Sequence, residues 1–230
     1  HSLGVDTSAQ GLGGGVDQFR VLNGELNVLG SMDWVFSDTI DGWAIWDGLQ
    51  WRAGDNTGLL TGGLAKDLIE YQGDRYIAGN FNRPGFPHDI ARWTTDHWES
   101  LGPGIQGDPW VNELAVYGDK LYVCGEFAAG WGNPASGLMT WDGTQWANPF
   151  PQIAFVAMGR NVQVANGKLW FCGPFMAQGL PGIYNFGVYD GTTLCVFGGN
   201  GLADAGRMCV APDTLYAFVW GNDLDVNALG

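Results

Sequence analysis

The chain has 230 residues, of which 46% are apolar, enough for one large domain or two small ones and too many for a disordered polymer. Ten basic against 24 acidic side chains leave a net charge of -14, which repels nucleic-acid phosphates and anionic lipid, so neither nucleic acid nor membrane insertion is expected. No run approaches the roughly 18 apolar residues of a membrane helix, and the first ten residues, HSLGVDTSAQ, show no basic or apolar leader, so any export signal is expected to have been removed.

In chain order the sequence repeats itself. The first unit, 11–54, opens on GLGGG at 11–15, which is expected to turn the chain between repeats, since it fits neither a Walker loop nor a dinucleotide fingerprint. A hairpin about Asn23-Gly24 follows, its second strand ending in NVLG at Gly30. Next come a looser loop and a second hairpin, AIWDGLQW, about Asp47-Gly48. The units 55–102, 103–150 and 151–199 repeat this order, with first turns at Gly73-Asp74, Gly118-Asp119 and Asn166-Gly167 and second hairpins ARWTTDHW, LMTWDGTQW and GVYDGTTL. Gly30, Gly79, Gly125 and Gly173 recur at intervals of 49, 46 and 48. The fifth unit, 200–230, has a turn at Pro212-Asp213 and the strand LYAFV, then ends before its second hairpin.

A period near 47 residues with four short strands per period predicts an all-β fold, a β-propeller of four-stranded blades. Two-helix repeats are excluded, because no unit holds a glycine-free stretch with helical apolar spacing. The expected arrangement is a single propeller domain over 1–230 with five blades, or a segment of a larger ring. Ser2-Leu3-Gly4 matches Ser100-Leu101-Gly102, so residues 1–10 could supply the closing strand of the last blade. Naming the strands of a blade A to D from the first hairpin to the second, a two-residue turn at Asp47-Gly48 would set Trp46 opposite Leu49 and Ala44 opposite Trp51. One face of the outer hairpins then reads as apolar (Trp46, Trp93, Trp141) and the other as mostly polar (Arg92, His97, Thr140, Gln145).

Three segments, LYVCGEF from Leu121 to Phe127, WDGTQW from Trp141 to Trp146, and Leu101-Gly102-Pro103-Gly104, carry a likeness to a known group. The pattern resembles the Kelch-like extracellular propeller repeats of secreted bacterial surface proteins, and it runs over essentially the whole chain. The resemblance implies export to the cell surface or beyond, and a place within a larger adhesin-like assembly. Trp93-Thr94-Thr95, Leu194 in place of a last Trp, and the unfinished fifth unit depart from it.

Chemistry is sought among polar groups that break the repeat. The W-D-G residues recur in the blades and read as structural, and Thr140-Trp141-Asp142-Gly143 lacks the spacing of a sialidase Asp box. His1, His88 and His97 form no metal motif, so no catalytic residue, metal or cofactor is expected. Cys124 and Cys172 fall in neighbouring blades about 10 Å apart, too far to bridge. All four cysteines are therefore expected as mostly buried thiols, with Cys172 and Cys209 the pair nearest to bridging geometry.

The B–C loops vary most and carry Trp34, Phe36, Phe86, Trp131, Tyr184 and Trp220, beside Asp33, Asp38, Arg83, Asp89, Asn133 and Asn185. In a propeller these loops gather at one rim, and aromatics there suit stacking on a sugar ring or gripping a peptide. Two expectations follow from these loops. The first is a non-catalytic binding or structural module, adhesin-like or lectin-like, that takes a glycan or protein ligand at that rim. The second is a carbohydrate-active lyase or glycoside hydrolase, which would need a pair of acid and base groups converging on one pocket. A bland reading competes with both, in which the rings fold back to close the blade ends.

Overall fold

The computed structural model describes residues 12–35, 38–54, 58–107, 109–156, 158–198, 205–211 and 214–219. The fold is all-β, of the β-propeller class, and each repeat forms an antiparallel blade. Blade 1 contains β1 (Leu12–Leu22), β2 (Glu25–Val35), the short β3 (Asp38–Thr39) paired to the end of β2, β4 (Trp43–Trp46) and β5 (Trp51–Ala53). Blade 2 is β6 (Leu64–Tyr71), β7 (Asp74–Asn80), β8 (Ile90–Trp93) and β9 (Trp98–Glu99). Blade 3 is β10 (Trp110–Tyr117), β11 (Lys120–Glu126), β12 (Leu138–Trp141) and β13 (Trp146–Ala147). In blade 4 strand A is broken into β14 (Ile153–Phe155) and β15 (Asn161–Ala165), both paired with β16 (Lys168–Ala177), and β17 (Tyr184–Tyr189) and β18 (Leu194–Phe197) follow. The fifth sheet comprises β19 (Ala205–Ala211) and β20 (Thr214–Val219). The expected closing strand at 1–10 and the Pro212-Asp213 turn lie outside the described residues.

The chain divides into two compact units, His1–Gly104 with blades 1 and 2, and Ile105–Gly230 with the remaining sheets. In the first unit, Leu29, Trp43 and Ile45 of blade 1 pack with Leu68, Ile77, Phe81, Ala91 and Trp98 of blade 2. In the second, Tyr122, Cys124 and Leu138 of blade 3 pack with Phe150, Val162, Phe171 and Phe175 of blade 4. Burying a Leu or Phe in such a seam contributes about 2 kcal/mol, and neither blade could bury these faces alone.

The recurring glycine has a steric cause. Strand A carries a β-bulge at Asp17, Lys66 or Asn112, where the register shifts between Val16 and Gln18, Ala65 and Asp67, and Val111 and Glu113. The bulge pushes a strand A carbonyl toward strand B, so a Cβ on Gly79 would lie 1.9 Å from the Leu64 oxygen and one on Gly125 would lie 2.2 Å from that of Trp110. The bulge residues also tie adjacent blades within each unit. Lys66 Nζ pairs with Asp17 Oδ1 at 2.8 Å, and Asn112 Nδ2 donates to the Gly159 carbonyl at 3.1 Å. Just beyond the bulge, the buried Asp67 receives two hydrogen bonds from Arg20 at 2.7 Å each, and at the matching position Glu113 accepts from Asn161. These inner carboxylates escaped the sequence reading, although an acid amid alternating apolar residues was the visible signal.

Several expectations are corrected. The outer hairpins turn on four residues, so that Trp46 faces Trp51, Trp93 faces Trp98 and Trp141 faces Trp146, while Leu49 stands 89% exposed in the loop. Blade 2 closes its turn with Thr94 Oγ1 donating to the His97 carbonyl at 3.0 Å; in blades 1, 3 and 4 the reason is the aspartate: Asp47 Oδ1 accepts from the Leu49 and Gln50 amides, and Asp142 and Asp190 repeat the motif. The side chain closes an Asx turn, so one positive φ at the glycine suffices where a two-residue type I′ turn needs two. These bonds hold the Asp142 carboxyl down at about 2, chiefly through Thr144, and Asp190 down at about 2, chiefly through the Thr193 amide.

The first turn of blade 2 is Gln72-Gly73, one residue before the expected pair, and both residues have positive φ. Gly13 to Gly15 lie within β1, where a Cβ on Gly14 would strike the Ser31 carbonyl, instead of turning the chain between blades. The outer face expected to be polar is buried at Ile45 and Thr140, because a second blade face covers it. None of the four cysteines is in a disulfide, and Cys124 and Cys172 are buried as expected. Burial pushes the Cys124 thiol well above its ordinary value. Cys195 and Cys209 are exposed instead: Cys195 lies on the outermost strand of blade 4, and Cys209 alternates with Met208, whose face packs on Cys172 and Phe186.

Candidate functional site

The aromatic loop residues meet different fates. Phe86 is half-buried against the core of the first unit, with the Arg83 guanidinium 4.7 Å from its ring centroid. Tyr184 is half-buried and stacks on Phe175 with centroids 6.5 Å apart, and its hydroxyl donates to the Pro181 carbonyl at 3.3 Å. Both rings follow the bland reading. Trp34 sits at the end of β2, paired with Thr39. Phe36, Trp220 and the Trp34 side chain lie outside the described residues.

Trp131 behaves otherwise. Its side chain is 87% exposed although it is an indole, the costliest side chain to leave in water. It occupies the tip of a tight turn: Gly130 N donates to the Asn133 carbonyl at 3.1 Å, and Asn133 N donates back to Gly130 at 2.9 Å. Gly130, Trp131 and Gly132 have φ of 100°, 56° and 111°. Left-handed backbone at Trp131 costs about 1 to 2 kcal/mol, and glycine on either side lets the chain reach it.

The turn is clamped from beneath. Asn133 is 7% exposed, its Nδ2 donates to the Gln106 and Ala128 carbonyls at 2.9 Å each, and its Oδ1 accepts from the Gln106 amide at 2.9 Å. One buried amide therefore joins the B–C loop of blade 3 to the segment leading into β10. The space between them is an open pocket of about 380 Å³, walled by Gln106, Gly107 and Pro109 on one side and by Glu126 through Trp131 on the other. That volume falls at the small end of ligand pockets, room for a single residue or sugar. Phe127 is buried at its base.

The polar neighbours expected to greet a ligand are mostly structural. Asp89, Asn133 and Asn185 are buried. Asp89 accepts from the Phe81 amide at 3.1 Å and adopts φ 60°, where blades 1 and 3 use Gly42 and Gly137. Glu126 was not anticipated, yet a signal existed: it follows the recurring Gly125 where the other blades have Ser31, Asn80 and Pro174. Among the described residues, no group of three or more His, Cys, Asp or Glu side chains is placed to hold a metal ion. His97 and His88 are exposed, and His97 Nδ1 lies 2.7 Å from Asp96 Oδ1.

No family model matches the chain, and no curated protein matches it. Among solved structures it is similar to the Pyrococcus horikoshii acylaminoacyl peptidase in its orthorhombic crystal form, with a TM-score of 0.47 and 12% identity over 89% of this chain and 35% of that one. The uncomplexed form of the same peptidase gives 0.46 and 13% over the same shares. The β-propeller domain of the Trilobed protease from Pyrococcus furiosus, described as having an open velcro topology, gives 0.47 and 11% over 91% of this chain and 67% of that one. The chain spans about a third of the length of the P. horikoshii peptidase.

Proposed function

We propose that this chain is a non-catalytic binding module of the cell surface or extracellular space that takes its ligand, a glycan or protein segment, at the blade 3 pocket beside Trp131. The observation that carries the reading is the strained, solvent-exposed tryptophan: a fold that stabilised itself alone would place Asn or Gly at that turn position and bury the indole. The clamp by Asn133 supports it, since a preformed platform loses less conformational entropy on binding. Glu126 is the one ionisable side chain among the described lining residues, and hydrolytic or lyase chemistry needs at least two groups. That favours binding over catalysis. The likeness to Kelch-like surface repeats supports the location and a place in a larger surface assembly.

The test is a screen of the chain on glycan and peptide arrays beside Trp131→Ala, with circular dichroism of both. Binding that the folded variant loses supports the pocket. Binding that survives the substitution, or silence from the wild-type chain on both arrays, sinks it.

A further inference from the structure

Resting on that reading, the geometry points to the ligand class: we infer that the Trp131 pocket accepts a positively charged side chain, Arg or Lys, of a partner polypeptide. Three observations converge. The first is Glu126, which lines the pocket and whose carboxylate has no hydrogen-bond or ion-pair partner among the described residues. A carboxylate on the wall of an open pocket, with no cationic neighbour there, is left to make a charge-assisted hydrogen bond with a cation that enters. The second is Trp131, whose indole is the strongest cation–π acceptor among side chains and stands on the same pocket. Trp110, the cross-strand partner of Glu126, is exposed on the same sheet face and adds a second indole beside the carboxylate.

The third is the field. With a net charge of -14 and no Lys, Arg or His among the described lining residues, the pocket attracts cations and repels acidic peptides and anionic sugars. Size agrees, because about 380 Å³ admits one long side chain with its waters but not an extended oligosaccharide. A neutral sugar would use the indole but leave the carboxylate's charge uncompensated. Glu126 at a position held by Ser31, Asn80 and Pro174 in the other blades makes this a property of blade 3 rather than of the repeat.

The experiment titrates the whole chain into fluorescein-labelled nonapeptides of Gly and Ser carrying Arg, Lys, Gln or Glu at the centre, read by anisotropy, with a glycan array alongside. Expected are Arg and Lys peptides bound about tenfold tighter than the Gln peptide, no binding of the Glu peptide, and affinity that falls as salt is raised. Glu126→Gln, a near-isosteric change, should erase the preference for Arg over Gln, and Trp131→Ala should abolish binding of the Arg, Lys and Gln peptides, both variants keeping the wild-type dichroism. Equal binding of Arg and Gln peptides, or a preference that survives Glu126→Gln, overturns the inference. If glycans bind in a Trp131-dependent manner while the basic peptides do not, the cation inference falls and the pocket stands. If neither probe shows Trp131-dependent binding, both fall.

Discussion

The B–C loops of blades 2 and 3 start from the same frame and end differently. In both, the recurring glycine donates to a left-handed residue that closes the loop, Gly79 N to the Asp89 carbonyl at 2.9 Å and Gly125 N to Gly137 at 3.0 Å. In blade 2 the aromatic has something to fold onto: Phe86 meets the core of its unit and a guanidinium anchored by the Gly58 carbonyl covers it. In blade 3 the aromatic is bracketed by glycines on a turn whose amide clamp faces inward, so Trp131 points away from apolar cover. The same residue class in equivalent loops is thus structural in one and presented in the other. What separates them is the supply of a packing partner.

The comparison breaks if the two loops respond alike to substitution. Asn133→Ala has the largest expected effect, about 3 kcal/mol of stability, because it removes three hydrogen bonds and strands backbone groups beneath the turn. Thermal unfolding with ligand binding measured in parallel should show both falling together. Phe86→Ala should cost about 2 kcal/mol from half-buried apolar area while leaving binding at the blade 3 pocket intact. Unchanged stability there would mean that the ring does not belong to the core. Trp131→Asn should raise stability by about 1 kcal/mol, since an Asn-Gly pair suits consecutive left-handed residues, and should abolish binding. A variant that is less stable than wild type would show that the indole holds the loop together.

The smallest effect is that of pH. The folded carboxyls of Asp142 and Asp190 sit near 2 against an ordinary 3.8. Their contribution is therefore complete above 3.8 and is lost as pH falls through that window toward about 2. Both side chains lie at the surface, Asp190 exposed and Asp142 partly so, and solvent screening keeps the loss small. Asp142→Asn should flatten the acid limb of the stability profile slightly, and an identical limb would mean that the turn bonds do not discriminate the charged form.

Repetition and local backbone chemistry were legible in the sequence alone. The period of Gly30, Gly79, Gly125 and Gly173 marked the blades, and Asn23-Gly24 and Asn166-Gly167 turn where left-handed residues permit. The pairing of the outer hairpins differs from the expectation by two residues, Trp46 facing Trp51 rather than Leu49, because in blades 1 and 3 an aspartate carboxylate, invisible to backbone rules, closes the turn over four residues. Burial was the harder matter. Aromatic loop residues look equivalent as letters, and only the tertiary structure decided that Phe86 and Tyr184 find neighbours, that Asn133 is a clamp rather than a ligand contact, and that Glu126 shares a pocket with Trp131. Turn geometry depends on residues one to three apart, which a sequence displays, whereas exposure depends on which other strand lies across the seam, a distance of about one blade along the chain.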